Sequence, residues 1–154
     1  GFLTMKGYYE LSPSISVEGY IESGVTMVDN MEEASYFKPI NNFISTSWSV
    51  QLLGRDPYIK NSSWVLGVTQ PLRVENAWVT AKVATQIDLT SKLPVFENQQ
   101  FSLTPSGREI GFEAAWRYQQ NKWMVQASIM NRLDAGHVAG RSNPSGILFF
   151  QSRF

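Results

Sequence analysis

The feature that most constrains the fold is an alternation of apolar and polar residues in the stretch GREIGFEAAWRYQQNKWMVQASIMNR, from Gly107 to Arg132. In an extended strand, successive side chains point to opposite faces of the sheet. One face of this stretch is apolar or aromatic on both sides of a QQN turn, through Ile110, Phe112, Ala114, Trp116, Tyr118, Trp123, Val125, Ala127 and Ile129. A helix would not gather these residues into one apolar stripe, so the pattern predicts a β-hairpin.

Similar alternation recurs along the chain, and turn-forming residues separate the alternating segments. It predicts eight strands, at residues 2–10, 14–28, 44–53, 63–74, 77–88, 109–119, 122–132 and 146–154. Most of these segments contain nine to twelve residues, the length that a tilted strand needs to cross a bilayer, whereas ordinary strands have about five or six residues. No segment predicts a helix.

The predicted connections are unequal in length. Tight turns are expected at Gln119 to Asn121 and at Glu75-Asn76, and the loops beside them are long and polar. Outer-membrane barrels have short turns at one end and long loops at the other. The stretch from Asp29 to Asn42 departs from this pattern, because by this count it belongs to the short-turn end. We expect an all-β fold, an antiparallel transmembrane β-barrel of the outer-membrane type, over residues 1–154.

Alternation alone does not decide whether the apolar face looks inward to a protein core or outward to lipid. Aromatic residues near strand ends, as in the two interfacial girdles of a membrane barrel, favour lipid; they are Trp48, Trp64, Trp116, Tyr118 and Trp123. We expect lipid contact for Phe112, Ala114, Trp116, Val125, Ala127, Ile129, Leu148 and Phe150. We expect a hydrated lumen lined by Lys82, Glu109, Glu113, Arg117 and Gln126, with a charge-paired network among the first four of these residues. On a soluble barrel, these same polar residues would form the solvated exterior.

The composition excludes several function classes. The formal net charge is +0 and the Lys and Arg residues do not cluster, so no nucleic-acid partner is expected. There is no cysteine, no apolar run of eighteen residues and a single histidine. His137 and Asp134 are too few to hold a metal, and no nucleophile elbow lies near them. We expect a loop hydrogen bond for His137 instead. Ser106 fits a turn, so we expect no catalytic residue, metal or cofactor in this chain.

The two ends of the chain carry further signals. The first residues, GFLTMKGYYE, already alternate, which predicts that the sequence starts inside a larger protein. The last residues, ILFFQSRF, place Leu148, Phe150 and the terminal Phe154 at even spacing. This ending resembles the signal by which outer-membrane barrels are passed to the barrel assembly machinery, although Ser152 stands where an aromatic residue is common.

Three short motifs lie in the second half of the chain, and they comprise Gln70, Pro71, Leu72, Arg73 and Val74; Pro105, Ser106, Gly107, Arg108 and Glu109; and Arg132, Asp134, Gly136 and His137. In order and spacing, residues 63–154 resemble the C-terminal β-barrel (translocator) region of subtilisin-like serine protease autotransporters. Asn131 and Ala135 differ from the family pattern, where Arg and Pro are expected. The resemblance implies a barrel of about twelve strands, located in the outer membrane, with a protease passenger upstream.

The leading hypothesis is therefore an outer-membrane anchor and translocator of type V secretion, whose partners are outer-membrane lipid, the assembly machinery and an N-terminal passenger in cis. A complete eight-stranded outer-membrane barrel with structural or adhesive loops is the alternative. A soluble ligand-binding β-barrel, which would purify without detergent, is the third. The residues that precede Gly1 would distinguish the first two, because a cleavable signal favours the small barrel and a protease favours the autotransporter.

Overall fold

The computed structural model describes residues 1–27, 36–56 and 58–152. This part of the chain is all-β, with one short 3-10 helix at Ala135–His137 and no α-helix, so it contains no helix long and apolar enough to cross a membrane. The ten strands are β1 (Phe2–Ser12), β2 (Ile15–Thr26), β3 (Phe37–Pro39), β4 (Phe43–Arg55), β5 (Ser62–Asn76), β6 (Trp78–Ile87), β7 (Pro94–Ser102), β8 (Ile110–Gln120), β9 (Trp123–Leu133) and β10 (Asn143–Ser152).

The strands form two antiparallel sheets. The main sheet has seven strands in the order β1-β2-β4-β5-β8-β9-β10, and the small sheet has three in the order β3-β6-β7. The expected all-β, antiparallel architecture is confirmed. Neither sheet closes into a barrel within the described residues, because β1 and β10 remain at opposite edges of the main sheet.

The predicted series of eight strands in one sheet is wrong. The predicted strand at residues 77–88 corresponds to β6, which leaves the main sheet and pairs with β3 and β7. Both partners lie in segments that were predicted as loops: β3 has only three residues, and β7 carries polar residues on both faces. Alternation therefore detected only strands with one apolar face. The last predicted strand extends to residue 154, but residues 153–154 lie outside the described part of the chain.

The connections of the main sheet differ between its two ends. One end of the main sheet is defined by three cross-strand pairs, which are Ser12 with Ile15, Ile15 with Gly54, and Gly54 with Trp64. At this short-turn end, the described connecting residues are 13–14, 56, 58–61 and 121–122. At the opposite, long-loop end, the described connecting residues are 27, 36–42, 77–109 and 134–142. The asymmetry between the ends therefore extends across the whole main sheet.

The expected tight turn at Glu75-Asn76 is absent, because β5 continues through Asn76 and the chain passes into β6 at Trp78. With that turn removed from the count, the connection from Asp29 to Asn42 falls at the long-loop end, where a long connection belongs. Its mismatch with the barrel pattern came from the misplaced turn. Residues 28–35 of this connection lie outside the described residues.

The main sheet has no large apolar core. The buried hydrophobic residues in the described ranges are Ala77, Val79, Ala81 and Ala135. Among the described residues, the largest fully buried side chain is that of Gln70, which is polar. Soluble domains normally bury Ile, Leu, Val and Phe, whereas many of the large hydrophobic side chains described here are exposed.

Candidate functional site

The register places most of the exposed hydrophobic residues of the main sheet on one side, because directly paired residues in antiparallel strands point to the same face. The exceptions on the opposite side include Phe2, Tyr8, Tyr20, Ile147 and Phe149. We call the side with most of these residues the apolar face; it includes Leu3, Met5, Tyr9, Val17, Ile21, Val50, Leu52, Trp64, Leu66, Val68, Phe112, Ala114, Trp116, Tyr118, Trp123, Val125, Ala127, Ile129, Leu148 and Phe150. All eight residues expected to contact lipid lie on it. Their contact with lipid remains a prediction.

The opposite side, the polar face, carries charged and hydroxyl side chains, and includes Lys6, Glu18, Glu22, Ser49, Gln51, Thr69, Glu113, Arg117, Gln126 and Arg132. Three of the residues expected to line a lumen, Glu113, Arg117 and Gln126, share this face. Small side chains in its centre are well covered, since Ser47 and Ser49 are buried. The polar face is the side that could line water inside a closed sheet.

The expected network among Glu109, Glu113, Arg117 and Lys82 is wrong. Lys82 lies on β6 in the small sheet, because β6 leaves the main sheet. Glu109, one residue before β8, forms an ion pair with Arg132 at 3.6 Å. The Arg117 side chain donates to the Gln119 amide oxygen at 2.7 Å. The sequence correctly indicated a polar side but not the partners on it.

Aromatic side chains occupy two heights on the apolar face. Near the short-turn end, the rings of Trp116 and Tyr118 stack at 6.2 Å, and those of Tyr118 and Trp123 lie 5.1 Å apart. Trp64 is paired with Trp116, and its ring covers Gly54, where a Cβ atom would lie 2.1 Å from the ring. Trp48 lies six residues before Gly54 on β4, roughly 20 Å along the strand. Because the strands of a membrane barrel tilt by about 35 to 45°, this separation would correspond to roughly 15 Å along the barrel axis, which is less than the apolar band of about 25 Å.

A polar cluster lies at the long-loop end, where β5 runs beyond Thr69, its last residue paired with β8. We call it the loop-end cluster; its side chains are those of Thr46, Gln70, Arg73, Glu75, Arg108, Glu109, Asp134 and His137. On the side where β8 would pair, loop backbone contacts this extension of β5 instead. The Arg73 guanidinium donates to the carbonyl oxygens of Gly107, at 2.9 Å, and of Pro105, at 3.0 Å.

Glu75 is the acceptor at the centre of the loop-end cluster. Its carboxylate pairs with Arg73, accepts from Arg108 at 2.7 and 2.9 Å, and accepts from the Thr46 hydroxyl at 2.6 Å. Burial raises the pKa of Glu75. The Thr46 and Arg108 hydrogen bonds and the charges of Arg108 and Arg73 outweigh this effect, and they hold the pKa below its ordinary value of 4.5. Glu75 therefore stays ionised at neutral pH.

Gln70 links this charged group to the sheet. Its amide oxygen accepts from the Trp48 indole at 3.2 Å and from Arg108 at 2.5 Å. Its amide nitrogen donates to the Thr46 carbonyl oxygen at 3.3 Å. A fully buried glutamine is stable only when its polar atoms have partners, and here both of them do.

His137 links the β9–β10 connection to two other segments. Its Nδ1 atom accepts from the Glu109 backbone N–H at 3.0 Å, and its Nε2 atom lies 3.1 Å from the Leu72 carbonyl oxygen. The Gly136 backbone N–H donates to the Glu109 carboxylate at 2.5 Å, and the Gly140 N–H donates to Asp134 at 2.8 Å. The loop hydrogen bond expected for His137 is confirmed.

The loop-end cluster thus brings together all three motifs that carried the family resemblance. Leu72, Pro105 and Gly107 contribute backbone atoms, and Ser106 accepts from the Ala139 N–H at 3.3 Å. Pro71 lies between Gln70 and Leu72 in β5. Two members, Thr46 and Glu75, carried no signal in the sequence. The described residues contain no group of acids and histidines that could hold a metal ion.

Gly107 permits the close approach of two loops. A Cβ atom on this residue would lie 2.6 Å from the Ala139 nitrogen and 2.9 Å from the Val138 carbonyl carbon. Because both are backbone atoms, we expect Gly107→Ala to lower the free energy of unfolding by about 1 to 3 kcal/mol. Gly7→Ala is the control, since a Cβ there would meet nothing within 4 Å. Equal stability of the two variants in urea titrations would contradict this close packing.

A scan for known protein families, a search of curated proteins and a search of solved structures each found no match to this chain.

Proposed function

We propose that this chain is part of an outer-membrane β-barrel that anchors an N-terminal passenger and helps to deliver it across the membrane, as the translocator of an autotransporter does. The observation that carries the proposal is the apolar face, which spans the seven strands of the main sheet. Leu3 is 70% exposed, Ile129 66% and Leu148 78%. An apolar surface of this extent on a water-soluble monomer would be exceptional, and lipid would cover it.

The asymmetry of the ends supports a membrane orientation. Short turns at one end and long connections at the other are typical of bacterial outer-membrane barrels, with the short turns in the periplasm. The aromatic cluster near the short-turn end, which contains Trp64, Trp116, Tyr118 and Trp123, fits one interface of a bilayer. The polar face on the opposite side would then line the interior.

The direction of the edge strands argues against closure of these seven strands alone into an antiparallel barrel. β1 starts at the long-loop end, where Phe2 pairs with Gly24, and β10 starts at the same end, where Asn143 pairs with Arg132. The two edges therefore run in the same direction and could not pair as antiparallel neighbours. Closure in hydrocarbon requires both edges to be paired, so an antiparallel barrel needs an odd number of additional strands.

The autotransporter assignment rests on the three motifs. They converge in the loop-end cluster, so the residues that carry the resemblance interact with one another. This convergence supports a common loop architecture at the long-loop end. The passenger and the role of Phe154 in assembly are parts of the proposal for which the family resemblance and the chain ending are the support.

A soluble ligand-binding barrel is the second candidate, and a groove of about 940 Å³ on the apolar face favours it. The groove is lined by residues that include Val50, Leu66, Val68, Phe112, Ala114 and Ile129. In this alternative, an apolar ligand and additional protein would cover the face, and the protein would be recovered without detergent.

Adjacent residues on β9 test the proposal. Ser128 and Ile129 point to opposite faces, and the chain has no cysteine of its own. In outer-membrane preparations of the intact protein, we expect Ser128→Cys to react with a membrane-impermeant thiol reagent that has access to the barrel interior. Ile129→Cys should instead be quenched or labelled by a lipid-soluble probe. Recovery of the protein in the aqueous fraction, with both sites open to the impermeant reagent, would favour the soluble alternative.

A further inference from the structure

We propose that His137 is a proton-sensitive latch that holds the β9–β10 connection, residues 134–142, at the long-loop end. The imidazole bridges two segments, with Nδ1 at the Glu109 backbone N–H and Nε2 at the Leu72 carbonyl oxygen. Because a backbone N–H can only donate, Nδ1 must be the unprotonated acceptor. Nε2 then carries the single proton and donates to Leu72, so the two bonds together require a neutral ring.

A second proton removes one side of this bridge. Protonated Nδ1 is a donor, and it would face the donor N–H of Glu109, so the bond between them is lost and the ring must move. Histidine is the side chain whose charge changes in the mildly acidic range. Acidification would therefore weaken the latch through this one side chain.

In the docked arrangement, the hydrogen bonds of the imidazole go to the backbone of Glu109 and Leu72 and not to a carboxylate of the described residues. The charged groups of the neighbouring segments are Arg73 and Glu75 on β5, Arg108 and Glu109 before β8, Arg132 on β9, and Asp134 and Arg141 in the connection. Glu109 already accepts from Gly136 and pairs with Arg132, and Asp134 already accepts from Gly140. An imidazolium that turned to either carboxylate would compete with bonds that hold the connection in place.

The connection would loosen as a unit, because it has internal bonds of its own. The Ala135 N–H donates to the Arg141 carbonyl oxygen at 2.7 Å, and Gly140 donates to Asp134. Apart from the imidazole, its docking bonds include Gly107 N–H to the His137 carbonyl oxygen at 2.8 Å. Losing the His137 bonds weakens docking by part of the total, so the expected result is a more frequent opening and not a permanent release.

The test uses the intact protein and a buried reporter. Ala135 is 3% exposed in the docked connection, whereas Leu89 in the β6–β7 turn is 90% exposed. We expect the labelling rate of Ala135→Cys, divided by that of Leu89→Cys to correct for thiol ionisation, to rise about fivefold between about pH 7.5 and about pH 5.5. His137→Gln is the matched variant, because its amide can accept and donate but does not titrate, and its normalised rate should not change.

Amide hydrogen exchange of residues 134–142 provides a second readout without the cysteine substitution. After correction for intrinsic exchange, faster exchange at the lower pH is expected with His137 and is not expected with the His137→Gln variant. A response that is the same in both proteins would overturn the latch, and so would a connection that stays equally protected at both pH values. The result does not depend on whether the apolar face contacts lipid.

Discussion

Glu75→Gln is expected to lower the free energy of unfolding by about 3 kcal/mol, because two guanidinium groups lose their shared anionic partner. The Arg73 side chain is 11% exposed and that of Glu75 is 22% exposed, so solvent replaces little of the lost interaction. Arg108 is 48% exposed and contributes less. Urea-induced unfolding of the refolded protein in detergent micelles would measure the difference.

The same carboxylate gives the variant a defined pH dependence. Glu75 lies in the extension of β5 beyond the apolar face, and its pKa is lower in the folded protein than the ordinary value of 4.5. A lowered pKa contributes stability that is fully present above that ordinary value and is lost as the pH falls through the folded-state pKa. The difference between the unsubstituted protein and the Glu75→Gln variant should therefore be constant near neutral pH and shrink under acid conditions.

Glu97→Gln is a suitable control, because Glu97 lies on β7 in the small sheet and is exposed. The free energy of unfolding of the Glu97→Gln variant should differ from that of the unsubstituted protein by less than about 0.5 kcal/mol. If both substitutions had the same small effect, the loop-end cluster would not contribute to stability in the way its contacts imply.

The strands with one apolar and one polar face could be predicted closely from the sequence. Alternation placed the hairpin strands at residues 109–119 and 122–132, and the structure has them at Ile110–Gln120 and Trp123–Leu133. β7 was missed because Asn98, Gln99 and Gln100 put polar side chains on both of its faces. A strand that buries little on either side leaves no period-two signal.

The topology and the site depended on long-range pairing that no local pattern reports. Glu75 and Asn76 resembled a turn because they are polar and separate two apolar segments, yet β5 continues through them. Glu75 and its partner Arg108 are 33 residues apart in the chain. The motif resemblance selected most members of the loop-end cluster, but the partners of each residue became clear only once the register was known.

Ala114→Arg is expected to reduce both folding and membrane insertion strongly, whereas Ala115→Arg should be tolerated. These neighbours on β8 are the same residue type on opposite faces. Ala114 lies between Leu66 and Ile129 on the apolar face, and Ala115 lies between Val65 and Ser128 on the polar face. An arginine in the hydrocarbon near the midplane costs about 2 to 4 kcal/mol. Folding into lipid vesicles and abundance in the outer-membrane fraction would measure the two effects.

A third substitution separates lipid from a protein cover, because a cost imposed by lipid depends on depth. Ala127 shares the apolar face but is paired with Trp116, in the aromatic row nearer the short-turn end. In a bilayer, the penalty for arginine falls towards the interface, so the cost should decrease from Ala114→Arg to Ala127→Arg and be smallest for Ala115→Arg. A packed protein cover would penalise each arginine according to local space, with no reason for this order. If Ala127→Arg cost as much as Ala114→Arg and the protein stayed in solution, the apolar face would be a protein or ligand interface and the outer-membrane assignment would fail.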